Sequence, residues 1–295
     1  MRTYSMLVLV MVFWASAFAS SKIAVHEIPH EVAAFFRFGL GAVILLLVHA
    51  ARGRARLTPR DLGTVAGLGM LGMFGYNTFF FLALSLAPSA DGSVIVPVSA
   101  PVITVAVTAL LGRRRLSTRK LAGLGAAVAG ATVFFVGIPA GGHDRLTGDL
   151  LFLGAAACWA AYTMCGAPVL RRLPAFTVTT YATTAGALAL GVMAIPAFDD
   201  VVWSGLGTGF WLNQLYLAAL PTALAYVMYY HAVGQVGPAT ASSMMFLVPV
   251  LGLTSSWLLL DESITPTQGL GAVLMLTGAW LATMSEIGTR DRSNA

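Results

Sequence analysis

Two ionisable side chains lie inside long apolar runs of this chain, and each marks a place to look for chemistry. Arg37 stands about six residues into the run 31–50, roughly 9 Å along a helix. A guanidinium at that depth in hydrocarbon is costly and by default marks a pathway or a paired site, where it could attract a carboxylate. Its other available role is to snorkel to the surface or bond a helix C-terminus. His231 closes the run 210–231. It titrates near neutral pH, so it could carry a coupling proton, or it could be an interfacial histidine held by a carbonyl.

Aromatic residues form the larger set. Trp14, Trp159 and Tyr162 fall mid-run, as do Tyr76, Phe80, Tyr226 and Tyr230. Buried Tyr and Trp need partners for their polar atoms, so a cluster of them suits a cavity for a partly apolar ligand. Tyr226 and Tyr230, four apart, share a helix face. Tyr4, Trp203, Trp211 and Trp280 read instead as interfacial belt residues. Asn77, Ser99 and Ser243 could hydrogen-bond a ligand or simply join helices. Pro97, Pro101 and Pro249 break the helical ladder and free carbonyls, which suits helix breaks and gating beside a cavity.

No catalytic or cofactor motif accompanies these residues. There is no phosphate-binding Gly-rich Lys-Ser/Thr loop. The five histidines show no metal-ligand spacing. Cys158 and Cys165 are seven residues apart on one helix, about 10 Å, too far for a disulfide.

The elements that must hold these side chains are helices in lipid. The 295 residues are 58% hydrophobic and 10% charged, against about 25% charged in ordinary soluble domains. Charged and turn residues cut the chain into ten apolar segments: roughly 4–21, 31–50, 62–84, 90–111, 119–138, 148–168, 176–196, 210–231, 238–259 and 266–286. Crossing hydrocarbon takes about 20 such residues in a helix; barrel strands would be shorter and alternating. Ala15-Ser16-Ala17 resembles a signal cleavage site, but only Arg2 precedes the first run, which is read as retained. Of the 17 Lys and Arg residues, all but Lys22, Arg37 and Arg145 fall in connections on the N-terminal side of the membrane. That bias makes both termini cytoplasmic. It also turns the formal charge of +5 towards anionic lipid and away from nucleic acid. The acids lie mostly on the other side, among them Asp91 and Asp149 at the outer ends of their segments, and none stands mid-helix.

The halves repeat. Trp14 matches Trp159, Gly41 matches Gly186, Tyr76 matches Tyr226, Pro88 matches Pro238, Pro101 matches Pro249, and Gly123 and Gly130 match Gly271 and Gly278. Five helices per copy is odd, so the second copy enters the membrane upside down. The connection after the fourth helix carries Arg113, Arg114 and Arg115, and its counterpart carries Asp261 and Glu262. The expected fold is all-α, with ten transmembrane helices in two inverted five-helix repeats, residues 1–140 and 146–288. Inverted repeats meeting at a midplane site are a transporter arrangement.

Nearly the whole chain resembles the EamA-type exporters of the drug/metabolite transporter superfamily. The resemblance rests on Phe13-Trp14-Ala15-Ser16, Phe36-Arg37-Phe38, and the run of Tyr226, Gly237-Pro238-Ala239, Pro249 and Asp261-Glu262. Family members usually carry Gly-Glu-Glu where this chain has Leu260-Asp261-Glu262, and Glu near Arg113 or Arg114, so the second copy is the closer match. The resemblance implies export, a cavity lined by helices one, three, four, six, eight and nine, and a small-molecule substrate. Such members are linked to amino acids, other metabolites and drugs. Aromatics mixed with hydroxyls, without the mid-helix carboxylate a lipophilic-cation pump would use, point to an inner-membrane exporter of amino acids or related amphipathic metabolites. It would work by alternating access, without cofactor or metal, as a monomer or homodimer among membrane lipids. A multidrug efflux carrier is the alternative. A channel would need polar rings along its pore and a membrane enzyme paired catalytic groups, neither of which is visible.

In a chain lacking Cys158 and Cys165, cysteines placed by Arg114→Cys and Glu262→Cys are labelled by an impermeant reagent from opposite faces of the membrane. Labelling from one face would overturn the inverted arrangement.

Overall fold

The computed structural model describes residues 2–52, 57–111, 118–136, 143–261 and 265–284. Arg113, Arg114, Arg115, Glu262 and the C-terminal arginines lie outside them. Among the described residues the chain forms ten helical rods and no strand. They are α1 (Arg2–Glu27), α2 (His30–Ala51), α3 (Pro59–Gly69, a π turn at Met70–Gly75, then Tyr76–Leu86), α4 (Ser89–Leu111) and α5 (Thr118–Val136). The second five are α6 (His143–Val169), α7 (Ala175–Ala194), α8 (Thr208–Leu217, a π turn at Ala218–Leu224, then Ala225–Val236), α9 (Pro238–Ser243, a 3₁₀ turn at Met244–Phe246, then Leu247–Leu260) and α10 (Pro266–Met284).

Local chemistry sets the boundaries. Thr58 caps α3 by accepting the Asp61 N–H at 3.1 Å, with Pro59 in the first turn. Gly237, at φ 86°, makes the left-handed corner between α8 and α9 that a side chain would strain, and Pro238 starts the next helix. Large apolar side chains such as Leu47, Leu188, Val192 and Leu258 stay exposed around the outside, as lipid requires. Tyr4, Trp203, Trp211 and Trp280 are exposed too, in keeping with a belt.

Helices pair across the halves, and most pairings have a swapped image: α1 with α9 and α6 with α4, α1 with α8 and α6 with α3, α2 with α8 and α7 with α3. The α2–α7 and α5–α10 pairs are their own images. Such reciprocity is what a twofold between inverted copies produces. The matched Trp14 and Trp159 meet ring to ring, centroids 5.0 Å apart.

Two features were not foreseen. Both α3 and α8 widen into a π turn at matching places. Each leaves a carbonyl that a side chain takes up: Asn77 Nδ2 donates to Met73 O (2.7 Å), and Trp14 Nε1 donates to Pro221 O (3.0 Å). The α6 helix also begins a turn earlier than expected, so Arg145 and Asp149 belong to it.

The Gly123, Gly130, Gly271 and Gly278 notches interlock α5 with α10 in antiparallel register. A methyl on Gly130 would run into the Met275 backbone, on Gly271 into Phe134, and on Gly278 into Ala127. Gly271→Ala is therefore expected to lower stability by about 1–3 kcal/mol. Gly125→Ala, with nothing near, leaves it unchanged. Thermal unfolding in detergent measures both, and equal effects would deny the close approach.

Candidate functional site

Where the halves cross, α1, α2, α3, α4, α6, α8 and α9 surround a small chamber. Its lining includes Trp14, Arg37, Tyr76, Phe80, Pro97, Trp159 and Tyr226, all expected from the sequence, together with Ala17, Phe18, Val96, Met245 and Val248. The two indoles form its centre. Trp14 and Trp159 lie edge to face at 86°, and both touch Tyr226, at 5.8 and 5.5 Å between centroids, and Tyr229, at 4.9 and 5.3 Å. Tyr76 stacks on Phe80 at 5.5 Å and meets Trp159 at the same distance.

Rings also close both ends. Towards the starts of α4 and α6, Phe80 packs on Phe18 (5.2 Å) and Phe152 (6.1 Å). Towards the end of α6, Tyr162 and Tyr230 stack at 4.4 Å, and Tyr230 Oη donates to Tyr162 O at 3.0 Å. Gly166 and Gly72 admit these rings, because a methyl on either would strike Tyr230 or Tyr162. The open volume left between the closures is ≈ 30 Å³, room for about one or two waters. That volume is too small for an amino acid, so a solute of that size needs the rings to part.

Arg37 does not snorkel. It is 4% exposed. Its Nε donates to Thr222 Oγ1 (3.0 Å) and its Nη1 to Ser21 Oγ (3.2 Å). The guanidinium lies 5.3, 5.9 and 6.0 Å from the ring centres of Phe38, Phe80 and Phe81. Among the described residues no carboxylate pairs with it. Two neutral hydroxyls and ring faces satisfy some of its donors and none of its charge, so the chamber has a lasting affinity for an anion.

Of the buried polar atoms without a hydrogen-bond partner, Trp159 Nε1 belongs to the lining; Asn77 Oδ1, Thr163 Oγ1, Tyr162 Oη and Tyr229 Oη lie outside it, on the helices that carry it. Trp14 Nε1 is already bonded, so the two matched indoles are not equivalent. Buried unpaired donors and acceptors beside a cationic group offer what a zwitterion's remaining polar atoms need.

Other expected residues are not gathered here. Ser99 is half-buried on α4 and, like Pro101 and Pro249, lies outside the lining. The side chain of Ser243 lies outside the described residues. His231 is exposed on α8, its Nε2 2.8 Å from Gln235 Nε2, away from the chamber. The expectation of solvated outer acids also fails for two of them: Asp91 and Asp149 are fully buried within the bundle. Each sits at the N-terminal end of an apolar run, where sequence alone leaves depth ambiguous by a turn.

The EamA-like transporter family model matches residues 1–136 and again 146–284. The chain is 28% identical over 292 residues to a probable terminal-alkyne amino-acid exporter of Streptantibioticus cattleyicolor, covering 98% of this chain and 95% of the other. It is 28% identical to probable amino-acid metabolite efflux pumps of Salmonella typhimurium and Escherichia coli, covering 92% of each chain in both cases. A protein of known crystal structure superposes with a TM-score of 0.69 at 23% identity, covering 96% of this chain and 97% of that one. That likeness concerns the fold.

The rings that line the chamber are also its core. Trp159→Ala is expected to lower the unfolding free energy by about 3–5 kcal/mol and Trp159→Phe by under about 1.5 kcal/mol, read from thermal unfolding. Equal losses would show that the indole does not pack as described.

Proposed function

The chain belongs to the EamA-like transporter family, and we propose that it exports amino acids or closely related amphipathic metabolites, binding them in the aromatic chamber with the carboxylate on Arg37. The observation that carries this reading is a buried guanidinium, bonded only to neutral groups, facing a ring-lined cavity. A carboxylate supplies the missing charge through a bidentate pair. The faces of Trp14, Tyr76, Phe80, Trp159 and Tyr226 accept an ammonium group or an apolar side chain. The unpartnered Trp159 Nε1, which faces the chamber, can bond one of the remaining polar atoms. The names carried by the Streptantibioticus, Salmonella and Escherichia relatives support the substrate class.

Transport follows from two closures on one chamber. The halves, residues 1–140 and 146–288, rock about their shared site so that the Phe18–Phe80–Phe152 closure and the Tyr162–Tyr230 closure part in turn. The protein spans the inner membrane several times with both termini cytoplasmic. On that orientation Arg52, Arg60, Arg171 and Arg172 face the cytoplasm. The chamber is built entirely from one chain, so a single copy contains a complete site. The protein moves its solute unaltered.

In proteoliposomes, the purified protein is expected to show saturable counterflow of radiolabelled amino acids. Arg37→Gln removes a charged hydrogen-bond partner, about 1.5–3 kcal/mol, and so raises the half-saturating concentration roughly tenfold to a hundredfold. Amines identical but for the missing carboxylate compete weakly. Equal competition by such amines would refute Arg37 as the carboxylate receptor.

A further inference from the structure

Beyond the Phe18–Phe80–Phe152 closure, the starts of α4, α6 and α10 bury a second polar group that neither the chamber nor its closures use. Arg145 of α6 holds Asp91 of α4 in a two-point ion pair, Nε to Oδ2 at 2.7 Å and Nη2 to Oδ1 at 2.9 Å. Gln268 of α10 donates to Asp91 Oδ1 at 3.2 Å. One turn after Arg145, on the same face of α6 and so on the side that meets Asp91, stands Asp149. It is fully buried, and neither of its carboxyl oxygens has a hydrogen-bond partner.

This junction is sealed. Gly148 lets α6 approach the α3–α4 corner so closely that a methyl there would lie 2.6 Å from Ala87 Cβ. Ser89 and Ser256 close another side with hydroxyls 2.8 Å apart. Phe152 packs against Gly92 one turn deeper and separates the cluster from the chamber. Among the described residues, Lys22 is the other cation nearby, and its Nζ donates to the carbonyls of Leu84 and Ala87. His143 and Asp144 lie at the exposed start of α6. Glu262, in the stretch before α10, is outside the described residues.

The charge balance is uneven. Arg145 offers one positive charge to two carboxyl groups, and the nearer already takes both of its fork contacts. Two ionised carboxylates face to face both accept and neither donates; a single proton between them turns the contact into a hydrogen bond and removes the unpaired buried charge. We propose that the Asp91–Asp149 pair is a proton-binding site that latches this end of the bundle: one proton is held while the end is closed and is given up to water when it opens. The latch joins α4 of the first half to α6 and α10 of the second, so opening must break it. This inference rests on the carrier reading above, in which that end opens.

The linkage has a definite sign. The closed end binds one proton more than the open end, so acidity favours closure and opening becomes easier as pH rises. The proton comes from water at that end and returns to it. Among the described residues the opposite end has no such buried pair of acids. Ala241 takes the place of Asp91 in the second repeat and is buried. The ion pair found there, Asp61 with Arg172 at 3.1 Å, has its arginine largely in solvent.

Two measurements test the site. Infrared spectra of the reconstituted protein at neutral pH are expected to contain the carbonyl stretch of a protonated carboxyl, shifted in D₂O, absent in Asp149→Asn and displaced in Asp149→Glu. No band that responds to Asp149 would overturn the proton site without needing any transported solute. Separately, amino-acid counterflow by the native protein should slow severalfold as this face is acidified. Asp149→Asn, a neutral mimic of the protonated acid, should be flat with pH. A pH profile unchanged by Asp149→Asn would overturn the latch even if the band is present. Absence of counterflow in the native protein at every pH would instead defeat the carrier reading and leave the infrared result to decide whether the pair binds a proton.

Discussion

Hydrocarbon supplies no hydrogen bonds, and most of this architecture answers that single constraint. Backbone groups must be satisfied within each rod, so any carbonyl released inside the bundle needs a named partner. The two π turns release carbonyls beside the chamber, and Asn77 and Trp14 take them up. A widened turn also swings the following residues outward from a regular helical track. On α3 those residues are Tyr76, Asn77 and Phe80, and on α8 they are Tyr226, Tyr229 and Tyr230. The rings that α3 and α8 contribute to the chamber and its closures thus follow on the places where the ladder is relaxed, whereas Trp14, Phe18, Phe152, Trp159 and Tyr162 stand on the unbroken α1 and α6.

The same poverty of solvent makes charge placement informative. A cation among neutral hydroxyls and ring faces and a pair of acids sharing one arginine are opposite imbalances within one bundle. Neither would matter on a wet surface, where exposed ion pairs contribute little. Buried, each leaves the protein short of one specific partner. Arg37 has no carboxylate partner among the described residues, and both carboxyl oxygens of Asp149 are without a hydrogen bond.

Much of the plan was legible in the amino-acid order because lipid enforces simple rules. Rod positions follow from runs of about twenty apolar residues, and the matched Trp, Tyr, Pro and Gly mark two copies, as the family model does in matching residues 1–136 and 146–284. Trp14, Trp159, Tyr76 and Tyr226 could be found because aromatics carrying polar atoms are conspicuous mid-helix. Ala17, Val96 and Val248 carry no chemical mark that separates a lining residue from a packing one. The α3 π turn has no mark in the sequence: Gly69, Gly72 and Gly186 permit backbones and rings to approach there, and nothing in their order announces it; the α8 turn does carry one, Pro221, which has no N–H to give the ladder. Asp91 and Asp149 were misplaced for a related reason. An acid at the first turn of an apolar run is normally wet, and only the close seat of Gly148 against Ala87 pulls this corner under cover.

The matched indoles carry one more implication. A chamber with perfect twofold symmetry would be a palindrome, presenting the same face to a solute from either direction. Here one indole N–H is committed to Pro221 while its mirror image stays unengaged. Arg37 has no twin either, since its counterpart in the other copy is Ala182. The cavity therefore has a head and a tail, and a molecule with two unlike ends can be seated in only one sense.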